Sequence, residues 1–432
     1  MFCERIRAGA RQTTARLAVP AGHGAAFALS GDVRETLGLP DGLRYQLRLQ
    51  GDTLEVGPVI GLLVSDSHLE RRRLRSSTAY TLLYPFFHGV LYAFGAADLD
   101  PGKELVRGFY FTGDAAAPWE EAVLPIASAV YRRASAPRDV LDRLTEATGG
   151  RLFNASFFDK WEFWKMVSGD PALREHVPRT ERLESPGEVD QALGASGATY
   201  LKPAAGTMAS GVYRVTKEAR WYWVDSADTD RAVEVMDRDR FGVFVEGLLK
   251  ARPYLIQEPV DTLRYEGRMV DFRVVMQKDD TERWGVTGIL AKCGAKDGVS
   301  SNFREHGFAL PFSECMSRLF KMSDSQAFIR YREIADACMY LCQALDRTGQ
   351  NYGDVGVDVA LDRTGKVWLL EVNKRHDHFL PRYINDLQFY YAVKNNPIKY
   401  CVALSGFTLS EGVDVQTCPQ QSGWEPSRSR KP

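Results

Sequence analysis

Gly356-Val-Asp358-Val-Ala-Leu-Asp-Arg-Thr-Gly-Lys-Val-Trp-Leu-Leu-Glu371-Val-Asn373 reads as two adjacent strands that deliver three hard oxygen ligands to one place. Residues around Asp358 alternate in the manner of a strand, Asp362 to Gly365 supply a turn, and the apolar run Val367 to Leu370 supplies the partner. Side chains two apart on a strand share a face, so Glu371 and Asn373 project together while Val372 points into a core. Two carboxylates and an amide oxygen suit Mg²⁺, whose octahedral shell takes its remaining ligands from water and phosphate. The pattern predicts a magnesium–nucleotide site.

Chemistry suited to a polyanion lies upstream. Lys202, on the apolar run Tyr200-Leu-Lys-Pro203, is costly to bury unless its ammonium emerges at a polyanion. The small residues of Ala204-Ala-Gly206-Thr-Met-Ala-Ser-Gly211 let backbone N–H groups approach phosphate. Asp271-Phe-Arg273 places an acid and a base on one strand face. Downstream, Lys374-Arg375-His376-Asp377-His378 offers a basic pocket for a substrate carboxylate, with solvated loop charges as the bland alternative. The two histidines invite a zinc reading, but no third ligand stands at a recognisable spacing.

The chain's 432 residues, 44% of them hydrophobic, predict about three domains with real cores. With 55 basic against 56 acidic residues, the net charge of −1 gives no footprint for nucleic acid or an anionic membrane. No apolar run approaches the length of a bilayer, and Arg5, Arg7, Arg11 and Arg16 are followed by no apolar leader segment, so neither secretion nor an anchor is expected. Seven cysteines without paired zinc spacing fit a reducing cytoplasm. Cys338 and Cys342 fall on one helical face with Ile334, Leu341 and Leu345 and are expected in the core.

The organisation expected is a small β-rich lobe over 1–56, an α/β region over 57–154, a larger unit over 155–406 and a polar, disordered tail over 407–432. In the second region, Gly57 to Val64 and Gly89 to Phe94 read as buried strands with a helix-like stretch between them through Leu82, and Pro137 to Thr148 as an amphipathic helix. In the third, Lys160 to Val167 reads as helix, and Thr199 to Pro203, Tyr254 to Glu258, Asp271 to Gln277 and Trp284 to Ala291 as strands.

Taken in order, Gly57-Pro-Val-Ile-Gly61, Phe153-Asn154, Asp159-Lys-Trp161, Leu201-Lys-Pro203, Asp271-Phe-Arg273, Trp284-Gly-Val-Thr-Gly288 and Trp368-Leu-Leu-Glu-Val-Asn373 resemble the YheC/YheD-type ATP-grasp group, often described as spore-coat-associated. The resemblance implies an α/β fold with α+β subdomains: an ATP-grasp domain with its lid near 180–258, preceded by a pre-ATP-grasp α/β domain and the small N-terminal lobe. It implies Mg-ATP held between two subdomains, with Lys160, Lys202 and the Gly206 loop at the phosphates. Backbone groups of Glu258 and Val260 would read the adenine edge with help from Gln257; Pro259 cannot donate, which favours Val260. Asp261 and Glu266 are alternatives for the ribose. Arg273, oriented by Asp271, and Lys292 would meet the transferring phosphoryl group. Asp358, Glu371 and Asn373 would hold two Mg²⁺ ions bridged by Glu371, with Mn²⁺ as the alternative. Asn302, Lys374 and Arg375 would lie at the acceptor. Met208 and Ala209 depart from the family's glycine-rich lid loop.

The implied activity is an ATP-dependent carboxylate–amine ligase that forms an amide or peptide bond through an acyl phosphate, acting on small-molecule or peptide substrates and compatible with a homo-oligomer. Two rivals stay open. A kinase would keep the nucleotide site and phosphorylate a hydroxyl; a non-enzymatic coat or assembly protein would keep the fold as a scaffold.

Overall fold

The computed structural model describes residues 2–18, 29–69, 74–100, 102–114, 116–206, 210–227, 233–301 and 307–409. Within them the chain is mixed α/β with four sheets. The first has four strands in the order Arg11–Ala18, Phe2–Ala8, Thr53–Gly57 and Gln46–Gln50. The second contains a parallel set, Leu152–Phe153, Ala129–Arg132, Val59–Leu63 and Val90–Phe94. Val59–Leu63 and Val90–Phe94 are buried at every position, which explains why they read as continuous apolar runs without alternation.

Among its described residues, the stretch expected to be helical between those strands contains the short helix Asp66–Leu69 and a 3₁₀ segment Arg75–Tyr80, and the one-turn helix Tyr84–Phe87 follows it. Local side-chain bonds compete with helix continuation here: the Ser77 hydroxyl pairs with His68 Nε2 at 2.8 Å and the Thr81 hydroxyl donates to the Thr78 carbonyl at 2.8 Å. The antiparallel strands Leu105–Phe111 and Trp119–Pro125 add to the same sheet and had no counterpart in the sequence reading.

Two further sheets face the centre of the protein. An antiparallel six-stranded sheet runs Thr180–Leu183, Tyr254–Gln257, Ala198–Pro203, Tyr213–Glu218, Trp221–Ser226 and Glu234–Met236. Helices Pro186–Ser196 and Arg238–Ala251 cover one face of it through Val189, Leu193, Phe241 and Val245. The other sheet orders Phe308–Pro311, Trp284–Lys296, Arg268–Lys278, Asp354–Leu361 and Val367–Asn373, with Arg264–Tyr265 on the side. Helix Asp324–Arg347 begins at a Ser323/Gln326 capping box and lays Ile334, Cys338, Leu341, Cys342 and Leu345 against that sheet. Both cysteines are fully buried, as their helical spacing predicted.

Helix Leu387–Leu404 ties the assembly together. Phe389 and Val393 pack on Val275 and Leu290 of the last sheet, while Ile398, Tyr400 and Cys401 pack on Ile60, Leu91 and Tyr131 of the parallel one. The seam requires a glycine: a Cβ on Gly288 would lie 2.4 Å from the Phe389 ring. Gly288→Ala is therefore expected to lower the unfolding free energy by about 1–3 kcal/mol through overpacking, read as a lower urea midpoint. An unchanged midpoint would contradict this seam.

Candidate nucleotide and metal site

A cavity of about 470 Å³ opens between the two central sheets, walled by Lys202, Tyr200 and Gln257 from one and by Asp271, Arg273, Lys292, Asp358, Glu371 and Asn373 from the other. Strand register assembles the second wall. Arg273 stands opposite Asp358, Asp271 opposite Lys292, and Asp358 in turn opposite Glu371. Directly opposed residues of an antiparallel pair share a face, so the three strands deliver a patch of alternating charge.

A bulge completes it. Asp358 faces Glu371, but the next pair is Val359 with Leu369, so Leu370 is an extra residue. On a regular strand Leu369 and Glu371 would share a face; the bulge lets Leu369 stay in the core while Glu371 joins Asp358.

The charges are tightly compensated. Arg273 grips Asp358 with two bonds, Nε to Oδ1 at 2.7 Å and a terminal nitrogen to Oδ2 at 3.1 Å. Lys292 Nζ lies 3.1 Å from both Asp271 and Asp358. Ser301 donates to Asp271, and Asn373 Nδ2 lies 3.2 Å from Asp358 Oδ2. Burial would raise the Asp358 carboxyl, but Arg273 and Lys292 outweigh it and hold the group well below the usual carboxylate range. Burial would likewise lower Lys292, and Asp271 and Asp358 reverse that, keeping it charged.

The expectation that Asp271 orients Arg273 is thus corrected. Register puts Asp358, not Asp271, directly across from Arg273, and Asp271 is taken by Lys292 and Ser301. Asp358, Glu371 and Asn373 do converge on one face of the cavity, and two carboxylates with an amide oxygen are a fitting donor set for a hard divalent cation.

Opposite them stand the lysines. Helix Lys160–Gly169 is started by an Asp159/Glu162 capping box, which places Lys160 at its first position. Lys160 Nζ reaches the Gly206 carbonyl at 2.9 Å and lies 3.6 Å from Glu371. Lys202 Nζ bonds Gln257 Oε1 at 2.5 Å, and burial lowers it to about 8 against the pull of Glu371. Gln257, expected at the adenine edge, instead has its side chain taken by Lys202 and Thr180. The Glu258 N–H is taken by the Arg179 carbonyl and its carboxylate by the Arg179 N–H, while the Val260 N–H has no partner among the described residues. Val260 and Thr262, whose hydroxyl has no partner among the described residues, both line this edge of the cavity.

Other expectations fare differently. Arg375 lines the cavity, bonded to Ser135 at 2.8 Å, but Lys374 does not; its ammonium donates to the Phe158 carbonyl at 2.5 Å and covers the Phe158 ring. Of the two basic residues only Arg375 lines the cavity, while a carbonyl and an aromatic face hold Lys374. Neither Asp261, paired with Arg363 at 3.0 Å, nor Glu266 lines the cavity; Thr262 does. Asn302, Met208 and Ala209 lie outside the described residues.

Behind the cavity wall is a cluster the sequence reading missed. Asp354, fully buried, accepts from His376 Nε2 at 2.8 Å, His378 Nε2 at 2.9 Å, Gln277 at 2.7 Å and the Tyr131 hydroxyl. Arg133 lies 3.6 Å away. The fold thus supplies the third ligand that spacing lacked, and the three ligand atoms lie within 4.8 Å of one another. The neighbouring Arg133 and Lys394 make it a poor cation site, and the imidazoles and carboxylate satisfy each other directly. The available signal was Asp354 itself, four residues before Asp358 and hence on the same face of one strand.

The chain is similar to several known proteins. The endospore coat-associated protein YheD of Bacillus subtilis strain 168 is 25% identical over 364 residues, covering 80% of this chain and 79% of that protein. The endospore coat-associated protein YheC of the same organism is 20% identical over 288 residues, 64% of this chain and 78% of that one. The structure of the ATP-grasp ligase PsnB complexed with precursor peptide PsnA2 and AMPPNP is 16% identical, covers 81% of this chain and 99% of that chain, and superposes with a TM-score of 0.46. Residues 149–404 match the YheC/D-like ATP-grasp family. Because that match spans more than half of the sequence and carries the whole charge array, the chain belongs to the YheC/D-like ATP-grasp family.

Proposed function

We propose that this protein is an ATP-dependent carboxylate–amine ligase that works through an acyl phosphate. The observation that carries the reading is the buried array of Arg273, Lys292, Asp358 and Glu371 facing Lys160 and Lys202 across one cavity. Facing lysines on the lid and a carboxylate-compensated arginine and lysine on the floor suit a triphosphate whose terminal phosphoryl group must be steadied as it transfers. A substrate carboxylate oxygen attacks the γ-phosphorus and ADP leaves; an amine then attacks the acyl carbonyl and phosphate leaves. No protein nucleophile is required, and the work is positioning and electrostatics.

In this reading Lys160 and Lys202 hold the phosphates, the Val260 N–H meets the adenine edge, Arg273 and Lys292 face the transferring group, and Arg375 meets the substrate carboxylate. Asp358, Glu371 and Asn373 would hold Mg²⁺, which screens the phosphate charge when bound. The sheet over Thr180 to Gln257 serves as the lid, and the parallel sheet backs the acceptor side, where Arg133 donates to the His376 carbonyl at 3.0 Å.

The direct test incubates the protein with Mg-ATP and a panel of amino acids and short peptides, singly and paired, with mass spectrometry of all products. An amide formed with stoichiometric phosphate supports the ligase; a stable phosphoester supports a kinase instead, and no turnover across the panel favours a scaffold. In the active pairing, Glu371→Gln is expected to reduce turnover by roughly two orders of magnitude or more without shifting the unfolding midpoint; undiminished turnover removes Glu371 from the site.

Lys202 gives a pH signature. Its free-enzyme ammonium is charged below about 8 and neutral above, so ATP affinity measured by calorimetry should fall as pH rises through that value. In Lys202→Met the affinity should be roughly tenfold weaker or worse near neutral pH and that pH dependence should vanish. Wild-type affinity in the variant contradicts the phosphate role.

A further inference from the structure

Charge is balanced through most of the cavity and left over at one end. Asp271 and Asp358 offset Lys292 and Arg273, and Glu371 lies 3.6 Å from Lys160. At the acceptor end the guanidinium groups of Arg132, Arg133 and Arg375 gather. Arg375 is exposed, lines the cavity and donates at 2.8 Å to the hydroxyl of Ser135, which is exposed as well. Arg132 and Arg375 share the Phe157 ring, 4.2 Å and 5.7 Å from its centroid, and that ring is 44% exposed.

Neither of these two arginines meets an acid. Arg132, only 4% exposed, donates to the Ala134 and Ala155 carbonyls, and neither it nor Arg375 is paired with a described carboxylate. Arg133 lies 3.6 Å from Asp354, whose other partners include His376 and His378, both kept neutral by burial. Asp377 bears on Lys394 and Tyr80 instead, and Lys374 sits among Glu371, Asp159 and Glu162. Three guanidinium charges therefore share the single carboxylate of Asp354.

Carbonyls and an aromatic face satisfy the hydrogens of a guanidinium without cancelling its charge, and like charges held together repel. Burial, with Arg375 adding to it, lowers Arg132 to about 10, and burial with Arg133 lowers Arg375, yet both stay cationic at neutral pH. An arriving anion relieves that cost. One carboxylate cancels one unit of the surplus and leaves another. We propose that the carboxylate substrate is an acidic one, bearing a second carboxylate beside the one to be activated, and that Arg375, with the Arg132 and Arg133 charges behind it, selects for the pair.

This inference rests on the ligase reading and names the class of acid it takes. The reachable donors are the Arg375 guanidinium, whose planar fork matches a carboxylate, and the Ser135 hydroxyl. The exposed Phe157 ring offers an apolar face to the methylene groups between two carboxylates. Arg132 and Arg133 act through their charge and need not touch the substrate. A free dicarboxylic amino acid and an acidic residue within a peptide both supply this chemistry.

The test uses near-isosteric pairs that differ by one charge: glutamate against glutamine, and Ala-Glu-Ala against Ala-Gln-Ala. Each is titrated by calorimetry into the full-length protein with Mg²⁺ and AMPPNP, so that binding is read without turnover. The acidic member of at least one pair should bind roughly tenfold or more tighter than its amide partner, and added salt should shrink that advantage. A gain with glutamate marks the free amino acid as the source, and a gain confined to the tripeptide marks a peptide; either supports the site. Arg375→Gln should bring the pair to near parity while Arg375→Lys keeps part of the preference. Equal affinities within both pairs, no measurable binding of either acidic probe, or a preference that survives Arg375→Gln overturns the proposal.

The ligase reading fails separately. Acid-selective binding in a protein that forms no amide refutes that reading and leaves the anion site standing. Amide formation with the same KM for both members of each pair supports the ligase and overturns the site.

Discussion

The pairing of Arg273 with Asp358 is the interaction on which the rest of the structure turns. Two charges removed from water are costly unless each compensates the other with good geometry. The protein meets that condition by alternating signs across strands: Asp271 with Lys292, Lys292 with Asp358, Asp358 with Arg273. The four groups sum to no net charge, so they can be buried together. Removing any one leaves an uncompensated ion, and that coupling demands a strictly held register. The helix Asp324–Arg347 on one face and Leu387–Leu404 on the other hold it, and the bulge at Leu370 sets Glu371 against the array without pulling Leu369 from the core.

A balanced array answers readily to an incoming polyanion. Phosphates approaching Lys160 and Lys202 meet one lysine whose burial already favours the neutral form and another that leans on Glu371. Binding a metal nucleotide would redistribute the existing pairs rather than create charge in a vacuum. The Asp354 cluster works differently. It joins Tyr131 and Arg133 of the parallel sheet to Gln277, His376 and His378 around one carboxylate, fixing the acceptor-side loop to the framework behind it.

Much of this was legible in the sequence where local pattern sufficed. The hairpin carrying Asp358, Glu371 and Asn373, the capped helix at Lys160 and the buried strand at Lys202 follow from alternation, turn chemistry and capping residues. What escaped depends on partners distant in sequence. Asp271 was matched to Arg273 because the two are neighbours on one strand, whereas pairing is decided across strands. Lys374 was read as substrate-facing because nothing local revealed Phe158 beneath it. The histidines lacked a third partner only because Asp354 lies two dozen residues upstream on another strand. The segment after Val64 was read as helix-like through Leu82, and among its described residues the structure has the short helix Asp66–Leu69 and the 3₁₀ segment Arg75–Tyr80.

The central claim, that the Asp358 array receives a metal-bound nucleotide, can be tested without knowing any acceptor. Mn²⁺ replaces Mg²⁺ in oxygen sites and is paramagnetic, so electron–nuclear double resonance of the protein with Mn²⁺ and ATP reports which nuclei surround the ion. The account predicts strong phosphorus couplings in a rigid protein-bound signal that Asp358→Asn weakens or abolishes. A spectrum indistinguishable from Mn-ATP free in solution would contradict it.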